Sequence, residues 1–151
     1  MKIRIAAALA VGLLAAAAPL AGALAQAPTS LAVDPSWKVP EVIAFIGLKP
    51  GSRIADIVSG RLAGPFARAV APNGKLYAVM PAEVVKAHPE VEGMLKAGAA
   101  ASGGVMEAST PPVNAMALPT GLDAVFIRQN YHDLYDKFMG PADVAGFNRQ
   151  V

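Results

Sequence analysis

The chain has no cysteine, one tryptophan and two histidines among its 151 residues. Without cysteine there is no disulfide, no thiolate nucleophile and no zinc–thiolate site. The histidine shortage weighs against a metal centre. His88 stands before Pro89 at a helix end, where a cation suits the helix dipole. His132 with Asp133 or Asp136 lacks a convincing third ligand, so no metal is expected. An excess of one charge is lacking too. The 13 basic and 11 acidic residues differ only through Lys2 and Arg4, and beyond Ala25 the charges balance. A nucleic-acid partner is therefore not expected. A serine nucleophile is excluded at Ser59-Gly60, because the glycine that a nucleophile elbow needs two residues earlier is replaced by Ile57.

What is abundant is aliphatic. Residues 1–25 begin with Lys2 and Arg4, continue through an Ala/Leu/Val run and end in "ALA" at 23–25. A positive start, an apolar middle and a small-x-small close describe a secretory signal peptide. The rival reading is a retained anchor, since about 20 apolar residues can span a bilayer. Cleavage after Ala25 is favoured by the alanine-rich composition, and leaves no stable membrane span. The expected destination is the periplasm or the medium. Residues 26–35 are a polar lead-in and 36–151 form one α/β domain. The mature part is too apolar to be disordered.

Within that domain, hydrophobic periodicity places a helix at about 39–48, stopped by "KPG" at 49–51. "RIADIV" (53–58) is a strand, and "AGPFARAV" (63–70) is a helix interrupted or begun at Pro65. "KLYAVM" (75–80) is a second strand, and 81–88 and 89–100 are helices separated by Pro89. "VMEAS" (105–109) is a third strand. Residues 110–121 are a proline-held connection, and "LDAVFIRQ" (122–129) is a fourth strand. "NYHDLYDKFMG" follows, and "PADVAGFNRQV" begins a helix with Pro141 near its start. Strands alternating with helices imply α/β architecture with parallel pairing, half of a doubly wound sheet. The chain stops inside an amphipathic helix. The sequence is therefore expected to be truncated or eroded, with an open sheet edge through which it can self-associate. A fragment unable to fold alone is a further reading.

In open parallel sheets ligands bind beyond the C-terminal strand ends, where strand order reverses. If the first and fourth strands are neighbours, "DIVSGRLAG" (56–64) and "QNYHD" (129–133) face one crevice. Asn130, Tyr131, His132 and Asp133 are the densest polar cluster. A His–Asp pair can act as a base and Tyr131 can stack on a ring. Adjacent residues point apart in most backbones, so a direct dyad is not implied. A capping turn with an exposed histidine is the plain alternative.

The stretch from "DPSWKVPEVIAF" to "YAVMPAE", together with "DAVFIRQNYHDLYD", resembles a family of exported bacterial predicted methyltransferases of the class I S-adenosylmethionine-dependent superfamily. The resemblance covers about 34–151. It implies a seven-stranded, Rossmann-like sheet of which only the first four strands are present, S-adenosylmethionine as cofactor, and methyl transfer to a small acceptor. It further implies that Asp56, Ser59, Gly60, Asn130 and Tyr131 border the cofactor and that His132 and Asp133 are catalytic. A family member would continue with a Pro-Gly-Gly turn and more strands. The family's glycine run is represented here only by Gly60, since Arg61 and Leu62 carry bulk where ligand should pass. After the second strand, many class I methyltransferases carry an acid for the ribose. This chain has "VMP", and Glu83 is the nearest carboxylate, equally readable as a solvated first-turn residue. The competing function is a non-catalytic, degenerate Rossmann-like binding or structural module. The signal reading has its own check. N-terminal sequencing of the exported protein should begin Gln26-Ala27-Pro28, and a start at Met1 would show a retained anchor.

Overall fold

A computed structural model describes residues 33–151. The expected signal peptide, residues 1–25, and lead-in residues 26–32 lie outside the described residues. Four strands form one sheet in the order β3-β2-β1-β4, where β1 is Arg53–Ile57, β2 Lys75–Val79, β3 Met106–Ser109 and β4 Ala124–Ile127. All three pairings are parallel. This is the Rossmann-like, doubly wound order in its first four strands. The chain steps outward from β1 to β3, then returns to the opposite side of β1.

Five α-helices accompany the sheet: α1 (Val39–Ile46), α2 (Ala63–Val70), α3 (Ala82–Ala87), α4 (Glu90–Ala101) and α5 (Val144–Asn148). Pro40 sits in the first turn of α1 beside Glu41, where a missing N–H costs nothing. The helix stops earlier than "KPG". Gly47 adopts φ 78° and its N–H reaches the carbonyls of Ile43 and Ala44, closing α1 with a left-handed cap. α2 begins at Ala63, so Pro65 lies within its first turn. Gly74, before β2, has no room for a side chain. An added Cβ would meet the Ser52 and Val70 carbonyl oxygens at 2.4 Å.

Every β1 residue after Arg53 is buried, as expected for a parallel strand covered on both faces. Ile54, Ile57, Phe66, Val70 and Leu76 are fully enclosed. Phe66 of α2 meets Phe126 of β4 edge-to-face, with centroids 5.0 Å apart. Val113, Met116, Leu134, Met139 and Phe147 come from the irregular segments and α5, and join the same core.

The return from β3 to β4 contains no α-helix, only a 3-10 turn at Val113–Ala115. It is held by polar contacts instead. Glu83 accepts the Val113 N–H at 3.0 and 3.2 Å. At the other end the Arg53 N–H donates to Asp123 Oδ2 at 2.7 Å, and the Asp123 N–H donates to the Arg53 carbonyl at 2.7 Å. The Arg53 guanidinium reaches the Thr120 carbonyl at 3.0 Å and the Tyr77 hydroxyl at 2.8 Å.

β4 is shorter than the expected 122–129. After it come 3-10 turns at His132–Tyr135 and Lys137–Met139. α5 starts at Val144, capped by Asp143 accepting from the Gly146 N–H rather than by Pro141. Replacing Phe66 by alanine removes the ring that joins α2 to β4. It should cost about 3–5 kcal/mol in a urea titration followed by circular dichroism.

Candidate functional site

β1 and β4 are neighbours, with Asp56 level with Phe126 and Ile57 with Ile127. Their C-terminal ends therefore share the crevice at which strand order reverses. Each strand is followed by a non-glycine residue in the left-handed region, Val58 at φ 55° and Gln129 at φ 58°. Left-handed backbone is unfavourable for most side chains and particularly for a β-branched one. Such residues gather at functional sites and ligand clamps.

At the end of β1, Asp56 is 3% exposed. Its carboxylate accepts the Ser59 hydroxyl at 2.7 Å. Burial pushes the carboxyl up to about 7, while the Ser59 hydroxyl and the Gly60 backbone pull it back. The Ser59 N–H donates to the Val79 carbonyl at 3.1 Å, which ties the loop to the end of β2. Ser59 and Leu62 are buried, as is Met80 beyond β2, whereas Gly60 and Arg61 face solvent. A Cβ on Gly60 would meet nothing nearer than the Val58 carbonyl oxygen at 4.0 Å. Glu83 is neither a ribose acceptor in this arrangement nor a free solvated residue, because its carboxylate is committed to Val113.

At the end of β4, the 3-10 turn brings adjacent residues together. His132 Nε2 lies 3.1 Å from Asp133 Oδ1, and Asn130 Nδ2 donates to Asp133 Oδ2 at 2.8 Å. The expectation that neighbouring histidine and aspartate point apart does not hold here. The Asp133 side chain is 15% exposed and that of His132 76%, so the carboxylate is sheltered and the imidazole open to a reactant. Tyr131 turns elsewhere. Its hydroxyl donates to Asn148 Oδ1 at 2.9 Å and its ring lies edge-on to Tyr135 and Phe147. With Leu122, Val125, Ile127 and Phe147 it lines an apolar groove of about 510 Å³ beside β4.

The structure thus gathers Asp56, Ser59 and Gly60 at one strand end. It gathers Asn130, His132 and Asp133 at the neighbouring one, and places Tyr131 on the groove. No hydrogen bond among the described residues joins the two groups. Val58, Gln129 and the stacking of Arg128 over Trp37 at 3.9 Å were not foreseen. Nothing in a valine or glutamine side chain signals a left-handed backbone. Among the described residues no three His, Asp or Glu side chains could hold one metal ion. No helix among them is long and apolar enough to cross a membrane.

The loop does not fit the amino-acid end of S-adenosylmethionine as it stands. The Ser59 N–H is spent on the Val79 carbonyl, and the Asp56 carboxyl is engaged by the Ser59 hydroxyl. Leu62 within the loop is buried, and so is Met80 after β2.

No protein-family model matches the chain, and no curated protein does. Among solved structures it is similar to a SAM-dependent methyltransferase from Aquifex aeolicus, at 22% identity and a TM-score of 0.49. The similarity covers 78% of this chain and 62% of that one. The present chain thus spans less than two-thirds of that protein's length.

The buried carboxyl carries a pH signature. Its folded value of about 7 lies above the unfolded value near 3.8, so the folded state holds the extra proton between them. Its contribution is therefore most favourable below about pH 4. It is lost as pH rises to about 7 and stays constant beyond that, a change on the order of a few kcal/mol. Denaturant titrations from pH 4 to 8 should show this fall in the wild type relative to Asp56→Asn, which removes the ionisation.

Proposed function

We propose that the protein is a class I methyltransferase-like protein whose ligand site is the crevice shared by the ends of β1 and β4. The activity proposed is methyl transfer from S-adenosylmethionine to a small acceptor, in the periplasm or outside the cell. One observation carries this reading. Two adjacent strands, at the point of order reversal, are each followed within two residues by a left-handed non-glycine residue, Val58 after β1 and Gln129 after β4. Beside one lies a buried carboxyl, Asp56, and beside the other a polar cluster, Asn130–Asp133. Buried ionisable groups with displaced pKa and strained backbone mark functional sites.

The roles of this chain's own residues follow from the geometry. Asp133 receives Asn130 and His132 on its two oxygens and fixes the imidazole ring. With Nε2 toward the carboxylate, Nδ1 is the nitrogen left to take a proton from an acceptor. Cofactor entry requires residues 58–62 to leave their present contacts, and no chemical step is assigned to the bound cofactor.

The second reading is a non-catalytic Rossmann-like module. It is favoured by the same loop, in which the Ser59 N–H and hydroxyl are satisfied internally and Leu62 is buried. Calorimetric titration of the mature protein separates the two. The methyltransferase reading expects saturable binding of S-adenosylmethionine. It also expects Gly60→Val to abolish that binding while circular dichroism is unchanged, because the added side chain projects into open space. Absence of binding at millimolar ligand would overturn it in favour of the module.

A further inference from the structure

The loop after β1 is held in a conformation that its own backbone resists. Val58, a β-branched residue, is left-handed at φ 55°. The restraints lie on its two neighbours. Ile57 is paired on both sides, with Val79 of β2 and Ile127 of β4. Ser59 is buried and tied twice, by its N–H to the Val79 carbonyl at 3.1 Å and by its hydroxyl to Asp56 at 2.7 Å. A strained residue persists only while its surroundings hold it.

One of those ties ends on a carboxyl poorly placed to carry charge. Asp56 is buried on β1, an interior strand with a neighbour on each side. Level with it stand Ala78 of β2 and Phe126 of β4, and Phe66 of α2 lies against Phe126. None of these side chains carries a donor. The charged groups of the surrounding segments are turned elsewhere. Arg61 in the loop and Arg68 on α2 are exposed, Arg128 after β4 is stacked on Trp37, and Asp133 is held by Asn130 and His132. No salt bridge among the described residues includes Asp56. A buried carboxylate needs a cation or several donors to stay charged. The Ser59 hydroxyl and the Gly60 backbone favour the charged form, but burial outweighs both. A neutral carboxyl can therefore remain beneath the loop, whereas an ionised one needs water.

We propose that residues 58–62 form a proton-controlled cover over the end of β1, closed while Asp56 is neutral and opened locally when Asp56 ionises. The inference rests on the crevice proposed above as the ligand site, whose regulation it supplies, and not on which ligand enters. Asp56 gives its proton to solvent and the carboxylate is hydrated through the opened loop. Ser59 leaves the Val79 carbonyl, and Val58 is free to return to extended backbone. The Ser59 N–H and the Asp56 carboxylate, both engaged in the closed form, then face the crevice. The ordinary aspartate value of 3.8 applies to the open form and about 7 to the closed one. The opening constant therefore rises about tenfold per pH unit between those values and levels off above them.

Hydrogen exchange of the Ser59 amide, followed by NMR on the ligand-free protein, reads the opening directly, because that N–H is bonded only in the closed loop. Its protection factor should fall by about one to two orders of magnitude from pH 5 to 7 and level off above. About 1 M urea should leave it unchanged, since a local opening exposes little surface. The Leu76 amide, bonded to the Val105 carbonyl inside the sheet, should instead respond to urea. Asp56→Asn should make Ser59 protection independent of pH. If that variant fails to fold, the comparison of Ser59 with Leu76 in the wild type still decides. Wild-type Ser59 protection that ignores pH, or that equals Leu76 protection at every pH and urea concentration, would overturn the proposal, because the loop would then open only with the whole domain. No cofactor enters this experiment, so its failure is distinct from a failure to bind S-adenosylmethionine.

Discussion

The arrangement depends on one clamp, the mutual contact between Arg53 and Asp123. The return from β3 to β4 has no helix to pack it against the sheet, so the backbone at Asp123 must be fixed another way. The Arg53 N–H to the Asp123 carboxylate and the Asp123 N–H to the Arg53 carbonyl are both 2.7 Å, and they set the first residue level of β4 beside β1. Hydrogen bonds to an ionised acceptor are stronger than neutral ones, which suits a junction with little apolar cover. Glu83 does the corresponding work where the crossover begins.

What the clamp creates is adjacency. Without β4 next to β1, the loop after Ile57 and the turn after Ile127 would have no common crevice. The two loops reach that crevice in opposite states. The first is packed, with the Ser59 hydroxyl on the Asp56 carboxyl and the Ser59 N–H on the Val79 carbonyl. The second is open, with a sheltered carboxylate presenting an exposed imidazole. A buried carboxyl that titrates near neutrality and a histidine held by an aspartate are both chemically capable. Their difference in access means that β1 rather than β4 limits what the crevice can take.

Much of this was legible in the sequence, for identifiable reasons. Short β-branched runs separated by helical patterns marked the four strands, and their alternation implied parallel order. Both periodicities are set by burial, which a sequence records directly. The neighbouring of β1 and β4 could be stated only as a condition, since the pairing rests on Arg53 and Asp123, 70 positions apart. The end of α1 was misplaced because "KPG" is the louder stop, whereas Gly47 in a left-handed cap closes the helix first. β4 was drawn too long at both ends. Asp123 belongs to the clamp, and Gln129 leaves the extended region. A direct His132–Asp133 contact was not implied, because neighbours point apart in most backbones, but a 3-10 turn brings their side chains together. Glu83 had two readings and took a third, as the anchor of a distant backbone N–H.

The single tryptophan has a consequence of its own. Trp37 lies before α1, under the guanidinium of Arg128, which follows β4 directly. A cation over an indole ring perturbs its excited state and its access to quenchers. The stacked pair links the segment before α1 to the residue after β4. Intrinsic fluorescence is therefore an optical gauge already present in the chain, and its emission reads whether those two segments stay together or separate.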